Sequence, residues 1–221
     1  MSEIVQNGGA RRATLPGTRH VRLRTITERD SGFIYQLMTS DRSGGRVRFG
    51  GATPSPQQVS ASLWESVLAQ FLVEGVQSGR PLGLTAITTP NFRDGFAYFS
   101  ALASDDAQGH GLMFEGVFLT FEYAFATWPF RKIYLEATEE SYKTFYSGLD
   151  RFFTEEGRLK QHTFWNGRYM DLAVFAVYRD KWELFSPQIR ERLKTRNGSG
   201  EARLTSLLNG IQGPPKTDGE R

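Results

Sequence analysis

With 221 residues the chain is long enough to bury a core of its own, and its 27 Lys and Arg against 24 Asp and Glu leave a charge of +3, too small to point to nucleic acid. The absence of cysteine excludes disulfides, thiolate zinc sites and a Cys nucleophile, and the widely spaced His20, His110 and His162 make no metal pattern. No apolar run reaches the ~18 residues of a membrane helix and no signal peptide is visible, so a cytoplasmic protein with no membrane, nucleic-acid or metal partner is expected.

Residues 1–18 are polar, rich in Gly and Arg and without periodicity, which reads as a disordered leader. His20–Thr27 alternates as a half-exposed strand does, and Glu28-Arg29-Asp30-Ser31 supplies a cap for a short helix carrying Phe33, Ile34, Leu37 and Met38. The Gly- and Arg-rich stretch after Ser40 has no predicted element. Its Arg42, Arg46 and Arg48 read as a solvated basic loop. Thr53-Pro54-Ser55-Pro56 opens a helix predicted to run through Gln70, with Val59, Leu63, Trp64, Val67 and Leu68 on one face. Phe71–Val76, Leu82–Thr88 and Phe96–Ala103 follow as a meander of three strands joined by Gly- and Pro-containing turns.

The stretch after the third strand is the most suggestive one. A polar turn leads into Gln108-Gly109-His110-Gly111 and then an amphipathic helix predicted over Leu112–Trp128. Strand, glycine loop and helix start together suit an anion, because orphan N–H groups and the positive end of the dipole point the same way. The plainer reading of such a glycine is a positive φ angle. Ile133–Ala137 then reads as a buried strand and Ser141–Arg151 as a weak helix. Phe152–Trp165 and Tyr169–Arg179 form a hairpin at Asn166-Gly167. A final helix, capped by Ser186-Pro187, carries Ile189 and Leu193. The expected organisation is one α+β domain over 19–185, with 186–221 a C-terminal helix and mobile tail.

This order of elements, with Gln108-Gly109-His110-Gly111 at its centre, resembles the GNAT superfamily of acyl-CoA-dependent N-acyltransferases. The late string Glu155-Glu156-Gly157-Arg158-Leu159, Phe164-Trp165-Asn166-Gly167-Arg168-Tyr169, Asp171-Leu172 and Arg179-Asp180-Lys181-Trp182 resembles its branch of ribosomal-protein N-terminal acetyltransferases. The resemblance implies a mixed, mostly antiparallel sheet of about six to seven strands flanked by helices, splayed between the fourth and fifth strands. It implies transfer of an acetyl or other acyl group from CoA to a primary amine by direct attack in a ternary complex, without a metal. Gln108, Gly109, His110, Gly111, Leu112 and Met113 would bind the CoA pyrophosphate, and Leu102 and Ala103 would lie along the pantetheine arm. Ser141 and Thr144 stand where Asn and Ser are usual, and with Tyr146 they would lie near the sulfur as donors or acid. The acceptor, a protein N-terminus or a small molecule, would sit between the Arg42–Phe49 loop, the helix from Pro56 and the Asn166-Gly167 hairpin, in a monomer or homodimer. Met113, Gly148, Phe152 and Thr163 depart from the usual residues. They leave two alternatives open: an idle GNAT fold that binds CoA or regulates, or an enzyme using a non-acetyl donor.

Overall fold

The computed structural model describes residues 15–40, 49–107, 111–138, 152–165 and 167–195. Seven strands form one sheet in the order β1-β2-β3-β4-β5-β7-β6. They are β1 (Val21–Arg24), β2 (Val67–Gly75), β3 (Pro81–Asn91), β4 (Phe96–Ala103), β5 (Lys132–Thr138), β6 (Thr154–Trp165) and β7 (Arg168–Tyr178). All neighbours pair antiparallel except β4 and β5. The helices among the described residues are α1 (Ser31–Thr39), α2 (Pro56–Ser62), α3 (Leu112–Thr127) and α4 (Arg179–Thr195).

The sheet carries helices on both faces. Phe71, Val73, Ile87, Ala97 and Phe99 pack with α3 and α4, whereas Leu72 and Leu84 pack with Ile34, Leu37 and Met38 of α1 and Val59 of α2. Each large side chain so buried contributes about 1.5–3 kcal/mol. The α3 run, expected to be amphipathic, is instead buried continuously from Met113 to Phe121, so its polar members need partners. Glu115 accepts from the Thr18 hydroxyl (2.5 Å) and lies 3.2 Å from Nδ1 of His20. Thr120 donates to the Gly116 carbonyl (2.8 Å), so Thr85 is the donor in the 2.7 Å bond between the two threonines.

The short α1 is anchored electrostatically. Asp30 accepts from the Thr27 backbone N–H and takes a two-pronged contact from Arg24 at 2.7 and 2.8 Å. Arg24 and Arg22 also bond Glu74 on β2. The Arg24 hydrogen bonds hold the Asp30 carboxyl well below the ordinary carboxylate range. Burial pushes the Glu74 carboxyl up, but the hydrogen bonds from Arg22 and Arg24 outweigh it and leave it lowered.

Two predicted helix boundaries are corrected. The helix expected through Gln70 starts at Pro56 as read, where Ser55 and Gln58 bond each other's backbone, but it ends at Ser62. Ser66 turns the chain at φ +57°, and Val67–Gln70 enters β2, where Val67 faces Thr88 and Ala69 faces Ile87. Trp64, placed on the buried face by the helical reading, is therefore 58% exposed. The last helix does not begin at Ser186-Pro187; it starts at Arg179, directly from β7, and Pro187 lies inside it. That proline removes one backbone donor. Trp182, Phe185, Ile189 and Leu193 all bury against the core and hold the helix regardless. Arg179 donates to the carbonyls of Phe125 (2.9 Å), Trp128 (2.6 Å) and Phe130 (2.7 Å), satisfying acceptors at the end of α3.

Candidate active site

The two central strands run together only briefly. Phe96, Ala97 and Tyr98 of β4 pair with Lys132, Ile133 and Tyr134 of β5. Beyond that point, among the described residues, Phe99–Ala103 pairs with β3 alone and Leu135–Thr138 with β7 alone, so the strands part into a V. This is the splay expected between the fourth and fifth strands. Its walls are strand edges with unpaired backbone groups, which are ready hydrogen-bonding partners for an extended ligand.

The direction of those groups follows from one bond. The Ser104 N–H donates to the Leu82 carbonyl at 2.8 Å, which makes Gly83 and Ala103 the non-hydrogen-bonded pair of the β3–β4 ladder. The N–H and C=O of Ala103 therefore point away from β3 into the V, as do those of Ala101 two residues earlier, while those of Leu102 point to β3. Of the two residues expected along the pantetheine arm, Ala103 offers its backbone to the V. Both lining alanines are small enough for close approach.

From the open end of β4 a short 3-10 turn, Asp105–Ala107, leads toward α3. Gly111 is the N-cap of α3, in the left-handed conformation at φ +65°, and among the described residues no side chain caps the helix. Glycine adopts that angle without strain, and the first N–H groups of α3, which no side chain caps among the described residues, lie at the positive end of its dipole. Met113 is buried, its sulfur packed over Gly83 of β3, so its side chain belongs to the core and only its backbone faces outward chemistry. The Ser104 hydroxyl is buried, and among the described residues it has no hydrogen-bond partner. Among the described residues, helix-start donors without a side-chain cap, a hydroxyl without a partner and an open strand edge suit a long ligand with a phosphate at one end and amides along its length. Gln108, Gly109, His110, Ser141, Thr144, Tyr146 and Gly148 lie outside the described residues.

Where the strands part, on the face opposite α3, stand two side chains that the sequence reading overlooked. Glu136 lies two residues beyond Tyr134, the last β5 residue paired with β4. It is exposed, and among the described residues its carboxylate has no hydrogen bond or ion pair. Burial first, and then the Glu136 charge, raise the Tyr98 phenol above its ordinary value, which keeps it a neutral donor. The alternation Lys132, Tyr134, Glu136 within an apolar strand was the available signal.

Beside them a second cluster is already satisfied. Lys132 bonds both Glu156 oxygens (2.9 and 2.7 Å), and Tyr134 (3.0 Å) and Tyr178 donate to the same carboxylate. Burial raises the Glu156 carboxyl, but the bonds from Lys132, Tyr178 and Tyr134 prevail and leave it lowered. This cluster ties β5, β6 and β7 together below the V, and Glu136 above it is unpartnered among the described residues. The β6–β7 hairpin runs on past the Thr138–Leu172 pair, with Phe164 and Tyr169 in ring contact at 5.0 Å and largely exposed. Phe152, one of the departures from the resembled pattern, packs on Phe185 at 4.2 Å as part of the core. Thr163 pairs with Met170 after an irregularity in β6 and is half-buried, while His162 is exposed. No group of three metal-binding side chains occurs among the described residues.

No protein-family model matches the chain. The spermidine N(1)-acetyltransferase of Escherichia coli K12 is 24% identical over 174 residues, covering 76% of this chain and 91% of that protein. The corresponding protein of Vibrio cholerae is 28% identical over 113 residues, 51% of this chain and 65% of that one. The crystal structure of spermidine N-acetyltransferase from Vibrio cholerae in complex with CoA and spermine superposes with a TM-score of 0.66 at 23% identity, over 74% of this chain and 98% of that one. The chain has the GNAT fold. A second crystal structure, of the Vibrio cholerae spermidine/spermine N-acetyltransferase in complex with manganese ions, gives a TM-score of 0.62 at 23% identity, over 74% of this chain and 95% of that one. Among the described residues, no helix is long and apolar enough to cross a membrane.

Proposed function

We propose that this protein is an acyl-CoA-dependent N-acyltransferase that moves an acetyl group from acetyl-CoA to a primary amine. The observation that carries the reading is the V between β4 and β5, opening beside the start of α3, with Glu136, unpartnered among the described residues, where the strands part. The likeness to CoA-binding acetyltransferases supports it.

In this reading Gln108 to Met113 hold the pyrophosphate, Met113 by its backbone alone, and the Ala101–Ala103 edge hydrogen-bonds the pantetheine arm. Glu136 receives the acceptor ammonium and takes its proton, needed because an alkyl amine of pKa ~10.4 is only ~0.1% neutral near pH 7.4. The amine nitrogen then bonds the acyl carbon, the C–S bond breaks, the thiolate takes a proton from a hydroxyl of the Ser141, Thr144 and Tyr146 group, and the second proton leaving the nitrogen restores that hydroxyl. We assign the acceptor to the di- and polyamines, because the Escherichia coli and Vibrio cholerae relatives are spermidine acetyltransferases. A place in the ribosomal-protein N-terminal branch rests on the late string from Glu155 to Trp182 and would make a peptide N-terminus the acceptor instead. A cytoplasmic location accords with a CoA thioester as donor.

Calorimetric titration with acetyl-CoA, followed by thiol release in the presence of spermidine, a monoamine or an N-terminal peptide, tests the reading. Micromolar donor binding and turnover with spermidine are expected. No binding at millimolar acetyl-CoA would remove the reading, and binding without turnover on any amine would leave an idle CoA-binding fold.

A further inference from the structure

Gly83 of β3 occupies a position where no side chain fits. A Cβ built there would collide with the Leu102 carbonyl oxygen and lie 2.7 and 2.8 Å from Sδ and Cε of Met113. The sulfur is the far end of a flexible side chain and can yield; the carbonyl is backbone on the strand that walls the V. That carbonyl shares one rigid peptide plane with the N–H of Ala103, the group turned into the V. Any atom added at position 83 must push the Leu102 oxygen, and because the peptide is planar the Ala103 N–H swings with it. At the same place Met113 carries the strain into the first turn of α3.

We infer that Gly83 is a positioning residue for the acyl-CoA: its missing side chain sets the angle of the Ala103 N–H and the seat of the α3 start. The inference rests on the proposed acyl-CoA binding, since it needs a ligand along that edge. It also accounts for Met113, one of the departures from the resembled pattern: the notch over Gly83 takes the long side chain inward, away from the ligand path.

The test compares wild type with Gly83→Ala by calorimetry with CoA and by steady-state kinetics. Gly83→Ala is expected to weaken CoA binding and raise the KM for acetyl-CoA at least tenfold, with the KM for the amine within twofold. Arg179→Ala, which loosens the far end of α3, serves as the destabilised control and should leave the KM for acetyl-CoA within twofold. Should Gly83→Ala not fold, the pair Gly83→Ala/Met113→Ala removes the sulfur contact and keeps the carbonyl contact, and the same loss of CoA affinity is expected. Unchanged CoA affinity in a folded Gly83 variant overturns the positioning role. Absence of CoA binding by the wild type overturns instead the function on which it rests.

Discussion

Replacing Glu136 by glutamine keeps the side chain's size and removes its charge and basicity. The carboxylate is exposed and, among the described residues, unpartnered, so stability should change by no more than about 0.5 kcal/mol, and any loss of activity is chemical. The magnitude follows from the acceptor. With only ~0.1% of an alkyl amine neutral near pH 7.4, a positioned base supplies a factor of the order 10²–10⁴. Glu136→Gln should therefore lower kcat/KM for spermidine by roughly 10²–10³, about 3–4 kcal/mol of transition-state stabilisation. Its activity should also rise about tenfold per pH unit up to about pH 10, as solvent rather than the side chain deprotonates the amine. Thiol release measured from pH 6.5 to pH 10 at saturating acetyl-CoA gives both numbers. A variant within about threefold of wild type at pH 7.4, or with the wild-type pH profile, would show that the proton goes elsewhere.

Ser104→Ala should leave the free protein as stable or up to about 1 kcal/mol more stable, since it deletes a buried hydroxyl without a partner among the described residues, yet weaken CoA binding several-fold. Thermal melting with and without CoA reads both; equal affinity would separate that hydroxyl from the ligand. Asp30→Asn should cost about 3 kcal/mol at pH 7, because Arg24 loses the partner of a largely buried pair. The Asp30 carboxyl is lowered in the fold, so its contribution is complete above the ordinary carboxylate value near 4 and fades as pH falls below it. Urea melts of wild type and variant should therefore converge toward pH 2, and a constant difference would contradict the assignment. Arg179→Ala should lower stability by about 2–4 kcal/mol by leaving three carbonyls at the end of α3 short of a charged donor. A loss below 0.5 kcal/mol, read from denaturant midpoints, would mean that water replaces it fully.

Most elements were legible because their signals are local. Phe96–Ala103 has the bounds expected of it, α3 ends one residue short of the expected Trp128, and the Asn166-Gly167 pair joins β6 to β7. Where local pattern and long-range pairing compete, pairing prevails: Val67–Gln70 fits a helical face, yet becomes strand because β3 offers it a ladder. Likewise Ser186-Pro187 looks like a helix start, but Trp182 and Phe185 can bury only if the helix begins earlier.

The sequence by itself determined the succession of strands and helices, the glycine loop before α3 and, through these, the resemblance to an acyltransferase fold. Only the tertiary structure decided where β4 and β5 part, which backbone groups face the gap, and that Met113 turns inward over Gly83. It also paired Lys132 with Glu156 and left Glu136 without a partner among the described residues. The physical reason is that periodicity and turn chemistry act between neighbours in the chain. A cleft is made by residues far apart in it, whose directions are fixed only when the sheet assembles.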